Sequence, residues 1–435
     1  MKISQSTQFK IQEMSLTTEF GNFDISGAFN ELVLYDNVYS PCMTGSVIIL
    51  DAMSLLEKLR FDGNEYITIK IGKSSDDSFE LEMFKTYRVY KVSDIVNINQ
   101  TSKTYILHFI TADFLLSEQT KVSQFFSSSY SDMVSKILKN YLRIGNSPAD
   151  GKSRLNVIES TKGSFSYIAP TITPFQTIAE IARRAVSQKN KPDFLFFETF
   201  AGYNFKSLTT MFSQPTKFRL NFSPKNIDDN IAREFLGVRN MKILTQSSAV
   251  ENIRSGTLAG KFVGFDTLTR KIKLTNLTTQ TIHDSSPDVT LQTNVGDLTD
   301  VNKFGASSNQ MVNSRIVFYP FTTPRSSNEY IKASDPSTAN LQDNTQEYKF
   351  HRKAIMTLLG QKRMELAVPG NFGIMAGDIV QLDVPKYSVK TDSVDGELDP
   401  MLSGRYLVTA TRHSINSAKH ETYMEVSSIY TKKRK

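Results

Sequence analysis

The chain has 435 residues, a formal net charge of +7 and 22% charged residues. One hydrophobic core rarely extends beyond about 250–300 residues, so this length predicts two to four domains. Basic and acidic residues are interspersed, and the only basic run is the KKRK terminus (432–435), which is typical of a solvated tail rather than a nucleic-acid surface. No apolar run reaches the roughly 18 residues of a membrane-spanning helix, and the first residues lack the apolar segment of a secretory signal.

The single cysteine, Cys42, excludes a disulfide within the chain. It fits assembly in a reducing cytoplasm.

The N-terminal region, residues 1–113, is predicted to be mostly strand. GNEYITIKI, which begins at Gly63, places Ile67, Ile69 and Ile71 on one face, since side chains alternate along a strand. A short helical segment, AMSLLEKL (52–59), interrupts the strands. We predict a first small β-barrel here.

Residues 114–235 change to helical spacing and predict a middle α+β domain. Apolar residues between Val134 and Leu142 predict a helix with Ser131 as its N-cap. Thr173-Pro174-Phe175-Gln176 is a capping box with proline at the first helical position. FLFFETFAGYNFKSLTTMF (194–212) then predicts a buried strand, a glycine turn, a second strand and a short helix.

Residues 236–277 and 348–435 are predicted to form a second small β-barrel. GTLAGKFVGFDTLTRKIKL (256–274) is typical of a hairpin, a helical turn or two is expected from Arg352 to Leu359, and three alternating strands follow between Met364 and Ala410. Residues 278–347 are rich in Ser, Thr, Asn, Asp and Gln, which predicts a polar insertion with one strand at 312–321.

The two predicted barrels share a pattern. GNEYITIKI (63–71) corresponds to AGDIVQLDV (376–384), and residues 87–110 correspond to residues 406–429. Each longer segment is a strand that begins with tyrosine, a polar hairpin and a second strand containing tyrosine, so Tyr87 and Tyr105 would match Tyr406 and Tyr423. Any two hairpins look somewhat alike, and chance likeness is the alternative. We predict a mainly β chain with two related antiparallel barrels that flank an α+β domain.

The edge strands of such barrels carry exposed backbone groups that can pair with another chain. The candidate interface strands in this sequence are 65–71 and 378–384.

Motifs for catalysis are missing from the sequence. GTLAGKF (256–262) has three residues between its glycines and Phe262 after the lysine, so it does not match a phosphate-binding loop. The five histidines have no zinc spacing, and His108 and His413 are expected to be surface or hydrogen-bonded sheet residues. Asp392, Asp395, Glu397 and Asp399 could attract calcium, but their spacing is not that of an EF-hand. We assign no catalytic, cofactor-binding or metal-binding residue.

Three segments, in this order, resemble a known family. ITPFQTIAEIARRAVS followed by FLFFETFAGYNFKSL, then SGTLAGKFVGFDTLTRKI, then VPGN…AGDIVQLDVP…LSGRYLVTATRHSI…YMEV are similar to baseplate hub proteins of contractile-tailed bacteriophages. That family is related to the N-terminal part of type VI secretion spike proteins. The resemblance covers 165–275 and 350–430 well and 20–110 weakly, and residues 278–347 have no counterpart in it.

The resemblance implies a structural hub without enzymatic activity, located in the virion tail baseplate after assembly in the host cytoplasm. It implies a homotrimer in which six barrels contact the hexameric tail tube while threefold symmetry holds the central spike. Baseplate wedge proteins are further candidate partners; specific nucleic-acid binding and membrane insertion are not expected. Two alternatives stay open: a hub-associated peptidoglycan hydrolase, and a tail protein that binds a glycan or receptor through residues 278–347.

Overall fold

The structure is a computed structural model that describes residues 9–59, 61–75, 78–144, 156–222, 236–246, 248–256, 259–267, 270, 272–278, 315–321, 349, 351–386, 398–417 and 419–428. Most of the predicted insertion, the KKRK terminus and most of the acidic loop near Asp395 lie outside these residues. No helix in the described ranges is both long and apolar enough to cross a membrane.

The N-terminal elements are β1 (Lys10–Thr18), β2 (Gly21–Asp24), β3 (Phe29–Asn37), β4 (Thr44–Asp51), α1 (Leu55–Leu59), β5 (Tyr66–Ser75), β6 (Ser78–Asn97) and β7 (Lys103–Ile110). The middle elements are α2 (Ala112–Gln119), β8 (Phe125–Ser128), α3 (Tyr130–Asn140), β9 (Val157–Ile158), β10 (Phe165–Ile168), α4 (Pro174–Arg184), β11 (Phe194–Thr199), β12 (Gly202–Ser207), α5 (Leu208–Ser213) and β13 (Phe218–Phe222). The C-terminal elements are β14 (Gly237–Val238), β15 (Asn240–Thr245), α6 (Ala249–Ser255), β16 (Ala259–Asp266), β17 (Ile272–Thr278), β18 (Ile316–Phe321), α7 (Arg352–Leu359), β19 (Arg363–Pro369), β20 (Ile379–Asp383), β21 (Gly404–Asn416) and β22 (His420–Ser427).

The fold is mainly β, as predicted, and one sheet runs through both ends of the chain. Its pairing order is β14-β13-β20-β21-β3-β4-β7-β6-β5-β1-β2, with β22, β19 and β15 continuing from the other side of β21. The expected inward faces are confirmed, because Ile67, Ile69 and Ile71 are buried in one core and Val380 and Leu382 in another.

The sheet is not purely antiparallel. β13 pairs in parallel with β20 and with β14. The predicted hairpin at 256–274 is confirmed as β16 and β17, and the strand expected within 312–321 is β18, which joins β16 in parallel.

The middle region packs α3 and α4 on β11 and β12 around an aromatic core that includes Phe175, Phe196 and Tyr203. The capping box of α4 is confirmed: Thr173 accepts from the backbone of Gln176, and Gln176 accepts from the backbone of Thr173. The predicted N-cap of α3 is wrong by two residues, because Ser129 accepts from the Asp132 amide while Ser131 contacts Thr161.

A further apolar cluster connects the middle region to the C-terminal half of the sheet. It combines Phe197 of β11, Met211 of α5, Leu358 of α7 and Ile379 of β20, all buried. The domain boundaries at residues 113, 235 and 277 stay a prediction.

Candidate assembly surface

The two halves of the main sheet repeat one another strand for strand. In the N-terminal half the pairing order is β5-β6-β7-β4-β3. In the C-terminal half it is β20-β21-β22-β19-β15. All of these pairs are antiparallel, so the two halves have the same arrangement of five strands.

The repeat extends to individual positions. Tyr87 lies opposite Ile67 and Tyr406 lies opposite Val380, and both tyrosines are fully buried. Three residues after each tyrosine the register shifts, at Tyr90 in β6 and at Thr409 in β21. A bulge inserts one unpaired residue and bends the strand, so a shared bulge position is independent support for the repeat.

The second pair of tyrosines does not correspond, contrary to the sequence prediction. Tyr105 lies opposite Ile49 and is buried, whereas Tyr423 is half-buried and lies opposite Ala367. Judged by shared partners, Thr422 occupies the position of Tyr105. The hairpin loops differ in length by one residue, which by itself would keep the two tyrosines equivalent. However, β6 has a second register shift, between Ser93 and Val96, that β21 lacks. This extra residue displaces the later positions by one, and a shift of one residue turns a side chain to the opposite face.

The two halves are joined by direct pairing of β3 with β21. The antiparallel register runs from Asn37 opposite Ala410 to Glu31 opposite Asn416. On its other edge β21 pairs with β22 over Leu407–Ile415, so β20 and β3 share the remaining edge of this long strand. Backbone hydrogen bonds between β3 and β21 therefore join the two half-sheets directly into one sheet.

A buried carboxylate fixes this joint. Asp36 of β3 accepts hydrogen bonds from the Thr411 hydroxyl of β21 and, at 3.1 Å, from the backbone amide of Ala376. Desolvation raises the pKa of Asp36 to about 7, against the lowering effect of these bonds.

A histidine pair lies beside the same joint. His413 Nδ1 is 3.3 Å from His420 Nε2 and 3.1 Å from the Thr422 hydroxyl, and the His413 ring stacks on Phe372. Burial lowers the pKa of His413 well below its usual range, and the neighbouring His420 lowers it further. A methyl group at Gly370 would lie 2.1 Å from the His420 ring, which accounts for glycine in this turn.

We predict that the free energy of unfolding falls less on acidification in His413→Leu than in the parent chain. An unfolded histidine takes up a proton below about pH 6.5. Folded His413 does so only at much lower pH, so the free energy of unfolding falls as the pH drops through this range. Asp36 acts in the opposite direction, because its folded pKa lies above the usual carboxyl value. Urea midpoints are measured at pH 8.0, 6.5 and 5.5 for the parent chain and for His413→Leu. Asp36 is present in both, so the difference between them gives the contribution of His413.

Replacement of the half-buried His108 by leucine is the matched control. It removes another sheet histidine, one that contacts Ser93. Equal flattening by both replacements would contradict the assignment to His413.

The predicted edge strands 65–71 and 378–384 are wrong as edges. β5 is paired on both sides, by β1 and β6, and β20 is paired by β13 and β21. Alternation in sequence shows that a strand has a buried face but not how many neighbours it has. β1 and β13 supply the missing neighbours in the structure.

Two edges with exposed apolar side chains lie instead on β15 and on the second half of β6. Within the described ranges β15 pairs with β19 alone, and beyond Arg88 strand β6 pairs with β7 alone. Both carry exposed apolar side chains, among them Ile243, Leu244, Ile95 and Val96. Sequence reasoning missed these edges, although the isolated apolar residues in the polar stretch after Tyr90 were a usable signal.

Groups suited to metal chemistry are not assembled in the part of the chain that the structure describes, where no cluster of three His, Cys, Asp or Glu is found. Asp392, Asp395 and Glu397 lie outside it. His108 and His413 are sheet residues with hydrogen bonds, as expected.

No protein-family model matches this chain, and no curated protein sequence does. Solved structures do share its fold. A tail protein from Neisseria meningitidis is 10% identical, with a TM-score of 0.51 over 97% of each chain. The 43 kDa tail protein of prophage MuSo2 from Shewanella oneidensis is 10% identical, with a TM-score of 0.52 over 95% of this chain and 97% of that one. A component of the Escherichia coli type VI secretion system is a looser likeness, 8% identical with a TM-score of 0.41 over 98% of this chain and 79% of that one.

The chain therefore shares the fold of these two tail proteins. The likeness extends over nearly the whole of both tail proteins, so it includes the joined sheet halves and the middle region.

Proposed function

We propose that this chain is the structural hub of a phage tail baseplate, which joins the tail tube to the central spike of a contractile tail. The observation that carries the proposal is the repeated half-sheet: β5-β6-β7-β4-β3 recurs as β20-β21-β22-β19-β15 within one polypeptide. Its role is architectural rather than enzymatic.

The repeated half-sheet would allow a trimer to connect a sixfold-symmetric tube with a threefold-symmetric spike. A homotrimer with two equivalent half-sheets per chain presents six similar units in a ring, which can contact a hexameric tube. The chain outside the repeat, including the middle region, remains threefold and can hold a trimeric spike. Closed assemblies require interfaces that match their symmetry operator, and duplication within one chain supplies both symmetries. Such a hub resides in the virion and works during injection into the host cell.

We predict that the purified chain is a trimer, with a native mass three times the 49.1 kDa of the chain. Native mass spectrometry at several concentrations measures this directly. Electron microscopy of the trimer with the tube protein of the same phage should then show it capping the tube end. A monomer at all concentrations, with and without a co-expressed spike protein, would contradict the hub.

A further inference from the structure

The strand β6 corresponds to the long strand β21, but the edge of β6 that faces away from β7 is paired over only part of its length. β5 covers residues 78–88 of β6 on one side, while β7 pairs with residues 88–97 on the other. In β21 the corresponding second half is covered by β3. Within the described ranges no strand covers the equivalent half of β6, residues 90–97, and most of these residues are exposed.

β15 is the counterpart of β3, and within the described residues it pairs with β19 but has no strand on its other edge. Leu34 lies opposite Gly45 in β4, and Ile243 lies opposite Met364 in β19. Gly45 and Met364 face equivalent residues, Phe109 and Val426, so Leu34 and Ile243 correspond. Leu34, with β21 beside it, is 0% exposed, whereas Ile243 is 43% exposed. The C-terminal half therefore exposes an apolar side chain where the N-terminal half buries one.

The exposed half of β6 complements this edge. His413 and Ser414 of β21 lie opposite Leu34 and Val33 of the joint. Judged by their partners in β7 and β22, the corresponding region of β6 includes Ile95 and Val96. Ile95 is 54% exposed and Val96 is 54% exposed. A long unpaired edge with apolar side chains is a template for pairing with another chain.

We propose that β15 of one chain pairs antiparallel with residues 90–97 of β6 in a second copy, in the register of the internal β3–β21 joint. Ile243 then packs against Ile95, and Lys242 lies opposite Val96. The same type of strand junction then occurs once within each chain and once between neighbouring chains. The half-sheets follow one another head to tail, and the exposed apolar side chains of β15 and β6 become covered. The number of chains in the ring rests on the proposed function, but the pairing itself does not.

Disulfide trapping tests this register. Lys242→Cys and Val96→Cys are combined in one chain, which is oxidised after assembly and run on a non-reducing gel. The native thiol of Cys42 should not interfere, because it is buried and its pKa is raised to about 11. We expect a covalent ladder that ends at three chains.

Two further cysteine pairs serve as controls. Val33→Cys with Ser414→Cys marks the equivalent internal position and should change mobility within one chain without a ladder. Lys242→Cys with Tyr90→Cys is displaced by six residues, roughly 20 Å along a strand, and should not cross-link.

The outcomes separate the pairing from the hub. A trimeric mass without a ladder overturns the pairing and leaves the hub standing. A ladder that continues beyond three chains supports the pairing and overturns the closed trimer. A monomer without a ladder, both with and without a co-expressed spike protein, overturns both.

Charge replacement gives a second test that is independent of disulfide geometry. Ile243→Lys and Ile95→Glu alter exposed positions, so the folded chain should persist while each alone weakens assembly at least tenfold. When both replacements are present, opposite charges meet across the junction and assembly should recover in part. Equal assembly of all three variants and the parent would count against the register.

Discussion

Replacement of Glu198 by alanine is expected to lower the free energy of unfolding by about 3–5 kcal/mol, the usual cost of removing one partner from a buried ion pair. Glu198 of β11 lies 2.6 Å from Lys85 Nζ of β6, with side chains that are 2% and 10% exposed. The carboxylate also accepts from the Thr111 hydroxyl at 2.6 Å and the Met43 amide at 3.0 Å. Three N-terminal groups therefore depend on one residue of the middle region.

Glu13→Ala is the matched control for this prediction. Glu13 and Lys70 are also 2.6 Å apart, but about a third of each side chain is exposed. Water can replace that interaction, so the loss should be below about 1 kcal/mol. Urea midpoints of both variants give the comparison, and similar losses would show that burial is not what makes the Glu198 pair important. Glu198→Gln, which keeps the acceptor oxygen, should lie between the two.

Replacement of Arg352 by methionine is expected to cost about 3 kcal/mol or more. The guanidinium donates from α7 to three backbone carbonyls of the middle region, those of Ala182, Pro192 and Phe194, at 2.8–3.2 Å. The Ala182 carbonyl belongs to the last turn of α4, where no partner within the helix exists, so Arg352 caps that helix. Each buried carbonyl left without a donor costs about 1–3 kcal/mol.

The neighbouring Lys353 is exposed and offers a control on the same helix. Lys353→Met introduces the same apolar side chain as Arg352→Met, but at an exposed position. It should change the free energy of unfolding by less than about 0.5 kcal/mol. Limited proteolysis provides a second readout, because loss of the Arg352 contacts should expose the segment around Pro192. Unchanged cleavage there, together with an unchanged midpoint, would refute the capping role.

Local chemistry in the sequence determined the elements and their inward faces. The capping box at Thr173 and the alternation at Ile67–Ile71 and Val380–Val384 each depend on neighbouring residues, and the structure has them as predicted. The likeness of the two halves was also visible, because a repeated strand pattern leaves the same spacing of apolar residues. The exact match of the second tyrosines failed, since β6 has a second bulge that β21 lacks, and one extra residue reverses the face of every later side chain.

Only the tertiary structure decided which strands are neighbours. β1 and β13 cover the strands that had been predicted as edges, and β3 pairs with β21 although 372 residues separate Asn37 from Ala410. Among the described strands, β15 and the second half of β6 each have a neighbour on one side only. The joint through Asp36 and the ion pair through Glu198 likewise connect residues far apart in sequence. Alternation of side chains records which face of a strand is buried. Backbone hydrogen bonds, in contrast, lie in the plane of the sheet, and every residue type can make them, apart from the missing donor of proline. The partner of an edge is therefore set by how the whole chain packs.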